Sequence, residues 1–207
     1  MTGLPFRVTV GDMKSGLAEG KRRYQMSARA EAAQSTADGI LDVAIQLFTD
    51  KAFEDVTLDE VAERAGVTKR TVLRRFESKD RLFVTAMNHA VHEMVRQREE
   101  APVGDVPGAV ANIVEHYERW GTNRLRLLSQ EDRIDLVAEH VRGGRAYHRA
   151  WVEFAFAPML AGLRGPALER RVAALVVATD VYTWKLLRLD LGLSRVETER
   201  TLVEMIG

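Results

Sequence analysis

No cysteine occurs among the 207 residues, so disulfides, thiolate nucleophiles and cysteine-based zinc sites are excluded together. This suits a reducing compartment, and a cytoplasmic protein is expected. Net charge is missing too. Thirty Lys and Arg balance thirty Asp and Glu, so the chain as a whole carries no nucleic-acid signature. No uncharged run approaches the roughly 18 residues needed to span a bilayer, and the first residues hold no apolar stretch of signal-peptide type. Enzyme signatures are absent as well: there is no G-x-S-x-G, no phosphate-cradling glycine loop and no H-E-x-x-H. No catalytic residue, cofactor or metal is therefore expected, and no internal repeat appears. What remains is length for one large or two small domains, with an ordinary apolar content of 46%.

The charge is distributed unevenly. Residues 69–81 gather Lys69, Arg70, Arg74, Arg75, Lys79 and Arg81 against Glu77 and Asp80, a small basic patch on a neutral body that points to local docking on DNA. The surrounding pattern says how the patch is held. Thr57-x-x-Glu60 is a capping box, and Leu58, Val61, Ala62 and Ala65 at i, i+3, i+4 and i+7 form one apolar helix face. Gly66 supplies a stop, and Thr68 caps a second helix with Val72 and Phe76 on its inner side. At 100° per residue Arg74 points almost opposite that pair, with Arg70 beside it. Helix, tight turn and basic helix together predict a helix-turn-helix, whose outward face suits the major groove. A merely solvated basic face is the alternative reading.

At these residues the chain resembles the N-terminal domain of tetracycline-repressor-type (TetR-type) regulators. Leu47-Phe48, Thr57, Val61-Ala62, Ala65-Gly66-Val67, Phe76, Ser78-Lys79 and Leu82 follow that family's pattern. Leu73 stands where the family usually has Tyr, and Arg75 where it has His or Tyr. The expected DNA contacts are Thr57, Thr68, Lys69, Arg70, Thr71, Leu73, Arg74, Arg75 and Lys79. Arg70 and Arg74 are assigned to base edges. Thr57, Thr68 and Lys79, at helix N-termini, are assigned to phosphates.

The expected architecture is all-α: a basic arm over 1–34 with Lys21, Arg22 and Arg23, a three-helix DNA-binding domain over 35–80 starting from a Ser35-x-x-Asp38 cap, and a helical domain over 81–207. Ser78 caps a long helix with Leu82, Phe83, Ala86, Ala90 and Val91 inward, a lever touching both domains. Pro107 opens a helix to about Trp120, a short one covers Leu125 to Gln130, and another runs from Ile134 to Val141. Gly143-Gly144 break the chain before a helix over Arg145 to Leu160. Pro166 to Leu191 read as the longest helix, apolar on nearly every side. The final helix starts at the Ser194-x-x-Glu197 capping box with Val196 inward. The two C-terminal helices form the expected homodimer interface, a four-helix bundle using Leu175, Val176, Val177, Thr179, Tyr182, Leu186, Val203 and Ile206.

Aromatic residues concentrate in the second domain, and they read either as core or as a pocket lining. The family resemblance implies the pocket, for a small apolar effector, with Asn112, His116, Tyr117, Trp120, His148, Trp151, Phe154, Tyr182 and Thr183 as candidates. His89-x-x-His92 would suit a metal only as a minor alternative to ordinary surface histidines. The sequence thus predicts a dimeric DNA-binding regulator, most simply a repressor on a near-palindromic operator. One alternative is a regulator whose second domain only dimerises or binds a protein partner. A small-molecule enzyme is the remote other.

Overall fold

In the computed structural model, residues 33–207 are described, and they are built of helices without a strand. The first helix, α1, covers residues 33–50. Ser35 and Asp38 lie within it, and the Asp38 carboxylate accepts from Gln34 at 2.8 Å. The helix is therefore already running where a Ser35 cap was expected. The expectation for Lys21, Arg22 and Arg23 lies outside the described residues.

A 3-10 turn (Phe53–Asp55) leads to α2 (Leu58–Arg64), α3 (Lys69–Phe76) and α4 (Lys79–Glu99). Ile40, Ala44, Leu47, Phe48, Val61, Ala62, Val72 and Phe76 are buried in one core with Leu82 and Phe83 of α4. Phe53 closes it, stacked on Phe48 at 5.7 Å and edge-on to Phe83 at 5.3 Å. Ser78 caps α4 as predicted, accepting from the Arg81 amide at 3.1 Å.

The rest of the chain wraps around α5 (Val106–Leu128), which packs on α4 and on three later helices: α6 (Asp135–Ala155), α9 (Val181–Lys185) and α10 (Arg195–Ile206). Between α6 and α9 lie α7 (Ala157–Leu160) and α8 (Gly165–Ala178). Three expectations fail here, each for a visible reason. The break between Trp120 and Leu125 is absent: Gly121 stays helical, and its missing side chain makes room for the Trp184 ring, which a Cβ there would meet at 2.6 Å. Gly143-Gly144 do not break α6, and Gly144 leaves the space that the Arg124 guanidinium occupies. Conversely, the long helix expected over Pro166 to Leu191 is broken at Thr179-Asp180. The Thr179 hydroxyl turns back to the Leu175 carbonyl at 2.7 Å, and Asp180 caps α9 by accepting from the Tyr182 amide at 2.8 Å. A π-helical turn (Leu186–Asp190) follows α9.

Ser194 caps α10, accepting from the Glu197 amide at 3.2 Å. Val196 does not face inward but lies exposed, and Thr198 takes the buried position.

The two kinds of helical glycine separate experimentally. Gly143→Ala, with open space at the Cβ position, should gain up to about 1 kcal/mol of helix propensity. Gly121→Ala should instead lose about 1–3 kcal/mol by overpacking against Trp184. Urea denaturation checks this, and a gain at both positions would contradict the packing role of Gly121.

Candidate nucleic-acid interface and the cavity behind it

The basic helix is fixed from below. Thr57 Oγ accepts from the Glu60 amide at 3.2 Å, while the Glu60 carboxylate takes Lys51 at 2.6 Å and Arg64 at 2.8 Å. These pairs and a hydrogen bond from Lys51 hold the Glu60 carboxyl below its ordinary range. Gly66 adopts φ +66°, the left-handed conformation that ends α2. Thr68 then caps α3 by accepting from the Thr71 amide at 3.2 Å. Val72 and Phe76 are buried beneath α3. Arg70, Arg74 and Arg75 are exposed on it and make no ion pair among the described residues. Leu73 stands between them, 38% exposed.

The remaining expected contacts are less free. Lys69 pairs with Asp59 at 2.8 Å. Thr71 is half-buried, its hydroxyl 3.0 Å from that of Thr68. Lys79 donates to the Glu54 carbonyl at 3.2 Å and lies 4.5 Å from the Phe53 ring centroid. Lys79 thus ties the 3-10 turn to α4, and partial burial lowers its pKa. The chain leaves α3 through Glu77 at φ +65°, the one non-glycine left-handed residue among those described.

From this surface α4 leads inward. Leu82, Phe83, Ala86 and Met87 are buried near its start, and Met87, Val91, Met94 and Arg98 of the same helix line a cavity of about 860 Å³. Ala90 and Val91, expected in the core, are half-buried and face this cavity. The end of α5 and the turn after it clamp the same junction: Gln130 accepts from the Phe53 amide at 2.7 Å, and Arg126 donates to the Thr49 carbonyl.

Of the expected ligand residues, His116, Tyr117, Trp120, His148 and Tyr182 line the cavity. The other four do not. Asn112 is engaged with Gln97, donating to its carbonyl at 2.7 Å. Trp151 lies one layer behind, its indole N–H donating to the Arg98 carbonyl at 2.9 Å. Phe154 is exposed, and the Thr183 hydroxyl bonds the Val177 carbonyl across the kink between α8 and α9. Sequence reading missed Arg98, which is buried and lines the cavity together with Arg124. The signal was present: Arg98 continues the inward series Met87, Val91, Met94 at helical spacing.

His148 sits between Arg98 and Thr179. Arg98 donates to Nδ1 at 3.0 Å, and Nε2 is 3.2 Å from the Thr179 hydroxyl. The acceptor role of Nδ1 fixes the neutral tautomer. Burial, reinforced by Arg98, depresses His148 to about 3, and burial depresses His116 to about 2. Both imidazoles are neutral at neutral pH. His89 and His92 are exposed, and His92 Nδ1 bonds the Asn88 carbonyl at 2.9 Å.

Among the expected dimer residues, Leu175, Thr179 and Ile206 are buried within the protomer and have no surface left for a partner. Val176 is half-buried and lines the cavity, and Val203 is half-buried. Val177, Tyr182 and Leu186 are exposed, by 62%, 52% and 52%.

Residues 40–86 match the sequence family described as bacterial regulatory proteins, tetR family. An uncharacterized HTH-type transcriptional regulator of Bacillus subtilis, YdeS, is 29% identical over 99 residues, covering 48% of this chain and 45% of that protein. The chain thus matches less than half the length of that curated relative. A tetR-family transcriptional regulator from Streptomyces coelicolor superposes with a TM-score of 0.65 at 19% identity, covering 84% of this chain and 79% of its own. AibR, solved with isovaleryl coenzyme A and operator DNA, superposes with a TM-score of 0.56 at 15% identity, covering 83% of this chain and 97% of its own. These likenesses establish the fold.

Two substitutions separate base reading from charge on this surface. Arg74→Ala should lose ~1–3 kcal/mol on a preferred sequence and relax preference at one base pair. Asp59→Asn releases Lys69, and should strengthen binding to every sequence and steepen the log–log salt dependence by up to about 1. Titrations on preferred and random duplexes check both. Equal loss on the two duplexes for Arg74→Ala would contradict its assignment.

Proposed function

We propose that this chain, whose residues 40–86 match the tetR family, acts as a regulator of that type, binding a near-palindromic operator as a homodimer and releasing it when a small, largely apolar molecule fills the cavity. The observation that carries this reading is the double use of α4, whose start is built into the DNA-binding core and whose end lines the cavity. Phe83 belongs to both, packed edge-on to Phe48 at 5.1 Å and bordering the cavity. A ligand that favours one placement of α4 also favours one placement of α3, with a coupling of about 1–3 kcal/mol. Arg70 and Arg74 read base edges, and Arg75 and a freed Lys69 meet phosphates. The capping hydroxyls of Thr57 and Thr68 keep the α2 and α3 N-termini in place for the same backbone.

Dimerisation is supported by the apolar surface that the protomer leaves uncovered. Val177, Tyr182, Leu186, Leu189 and Leu191 are all more than half exposed along α8, α9, the π-helical turn and the residue after it, large apolar side chains that a partner can cover. A twofold axis through this face sets two α3 helices one turn of DNA apart. The AibR complex pairs an acyl thioester ligand with operator DNA on the same fold, which favours effector control over a second domain that only dimerises.

Val177→Glu should convert the dimer to monomer in sedimentation and abolish operator binding, without changing the helix content by circular dichroism. An unchanged dimer would overturn the assigned interface. A thermal-shift screen of apolar compounds should find ligands that stabilise the protein by mass action and release operator DNA. Stabilising compounds that leave DNA binding intact would overturn the control mechanism.

A further inference from the structure

The cavity holds more positive charge than an apolar effector requires. Arg98 is 3% exposed, its Nε has no hydrogen-bond partner, and its side-chain partners, the neutral imidazole of His148 and the Tyr117 phenol, carry no negative charge. The face of Trp151, 4.0 Å from its guanidinium carbon, offers a quadrupole and no counter-charge. Arg124 lines the same space against Gly144 and makes no hydrogen bond or ion pair among the described residues. Each of the two cations lowers the other cation's or its neighbours' tendency to carry charge: Arg124 acts on Arg98, and both act on His148.

Asp180 and Glu131 lie near enough to favour the charged form of Arg124, but neither forms an ion pair with it. Asp180 accepts from the Tyr182 amide, and Glu131 takes both terminal nitrogens of Arg145 at 2.6 Å. Glu139, also on the lining, is exposed. A buried and a half-buried guanidinium without a direct ion pair are costly, and a guanidinium fork is the group best shaped to accept a carboxylate. Around them the lining is apolar: Met87, Val91, Met94, Leu127, Val176 and Val181.

Building on the effector reading above, we propose that the ligand is an amphipathic carboxylate, its head group held by Arg98 and Arg124 and its hydrocarbon body lying along α4 and α5. His148 and Thr179 act as positioning residues, since their hydrogen-bond chain to the Leu175 carbonyl orients Arg98. A neutral ligand of the same shape leaves the two cations uncompensated and binds more weakly.

The test uses the whole chain with sodium decanoate, decan-1-ol and methyl decanoate, followed by calorimetric titration and thermal unfolding at neutral pH. Decanoate should bind about tenfold or more tighter than either neutral compound. Arg124→Gln, at a half-buried position, should remove that preference while leaving decan-1-ol binding unchanged. Arg98→Gln should do the same for the decanoate preference. Equal binding of decanoate and decan-1-ol would overturn the carboxylate site and leave the effector cavity standing. Binding of none of the three, together with no stabilising compound in the apolar screen, would overturn the cavity reading itself. A decanoate preference that survives both substitutions would overturn the assignment to Arg98 and Arg124.

Discussion

Burial of Val72 and Phe76 under α3 is the contact on which the rest depends. A helix of eight residues is too short to hold itself in water, so α3 exists because its inner side is pinned and its first turn is capped by Thr68. Pinning one side decides the other. Once Val72 and Phe76 face the core, Arg70 and Arg74 face solvent, and a chain with no net charge presents a concentrated positive face at one place.

The second constraint is the continuity of α4. It carries no proline and no glycine between Lys79 and Glu99, so it runs unbroken from the DNA-binding core to the cavity. One end is locked by the Phe48, Phe53 and Phe83 cluster, the other by the Arg98 stack on Trp151. The end of α5 and the turn after it add Arg126 and Gln130, which reach back to the backbone at Thr49 and Phe53. A shift at the cavity wall therefore has a short route to the basic helix. The two arginines give that cavity an electrostatic preference in addition to a shape.

Much of this was legible in the chain because local chemistry wrote it. Thr57, Gly66, Thr68 and Ser78 act on their nearest neighbours, and each cap lies where the residue pattern placed it. Several failures involve residues whose role is set at least partly by something far away in sequence. Gly121 and Gly144 look like helix breakers, yet each makes room for a side chain from another helix, Trp184 and Arg124. Thr179-Asp180 looks like helix interior, yet His148 from α6 and the amide of Tyr182 draw those side chains into a kink. Arg98 sits in a polar run, and its helical spacing from Met87, Val91 and Met94 is the signal of its direction. Leu175 and Thr179 are expected at a partner because an all-apolar helix needs full cover, and Ile206 because the final helix joins the same bundle. The protomer itself covers those three.

The most direct measurement is selection of bound duplexes from a random DNA pool by the purified protein in modest salt, read by sequencing. Enrichment of one near-palindromic sequence, with half-sites about one helical turn apart, is the predicted result. A pool that stays random while the protein is folded and dimeric would contradict the account, because the outward face of α3 would then have no duplex to read.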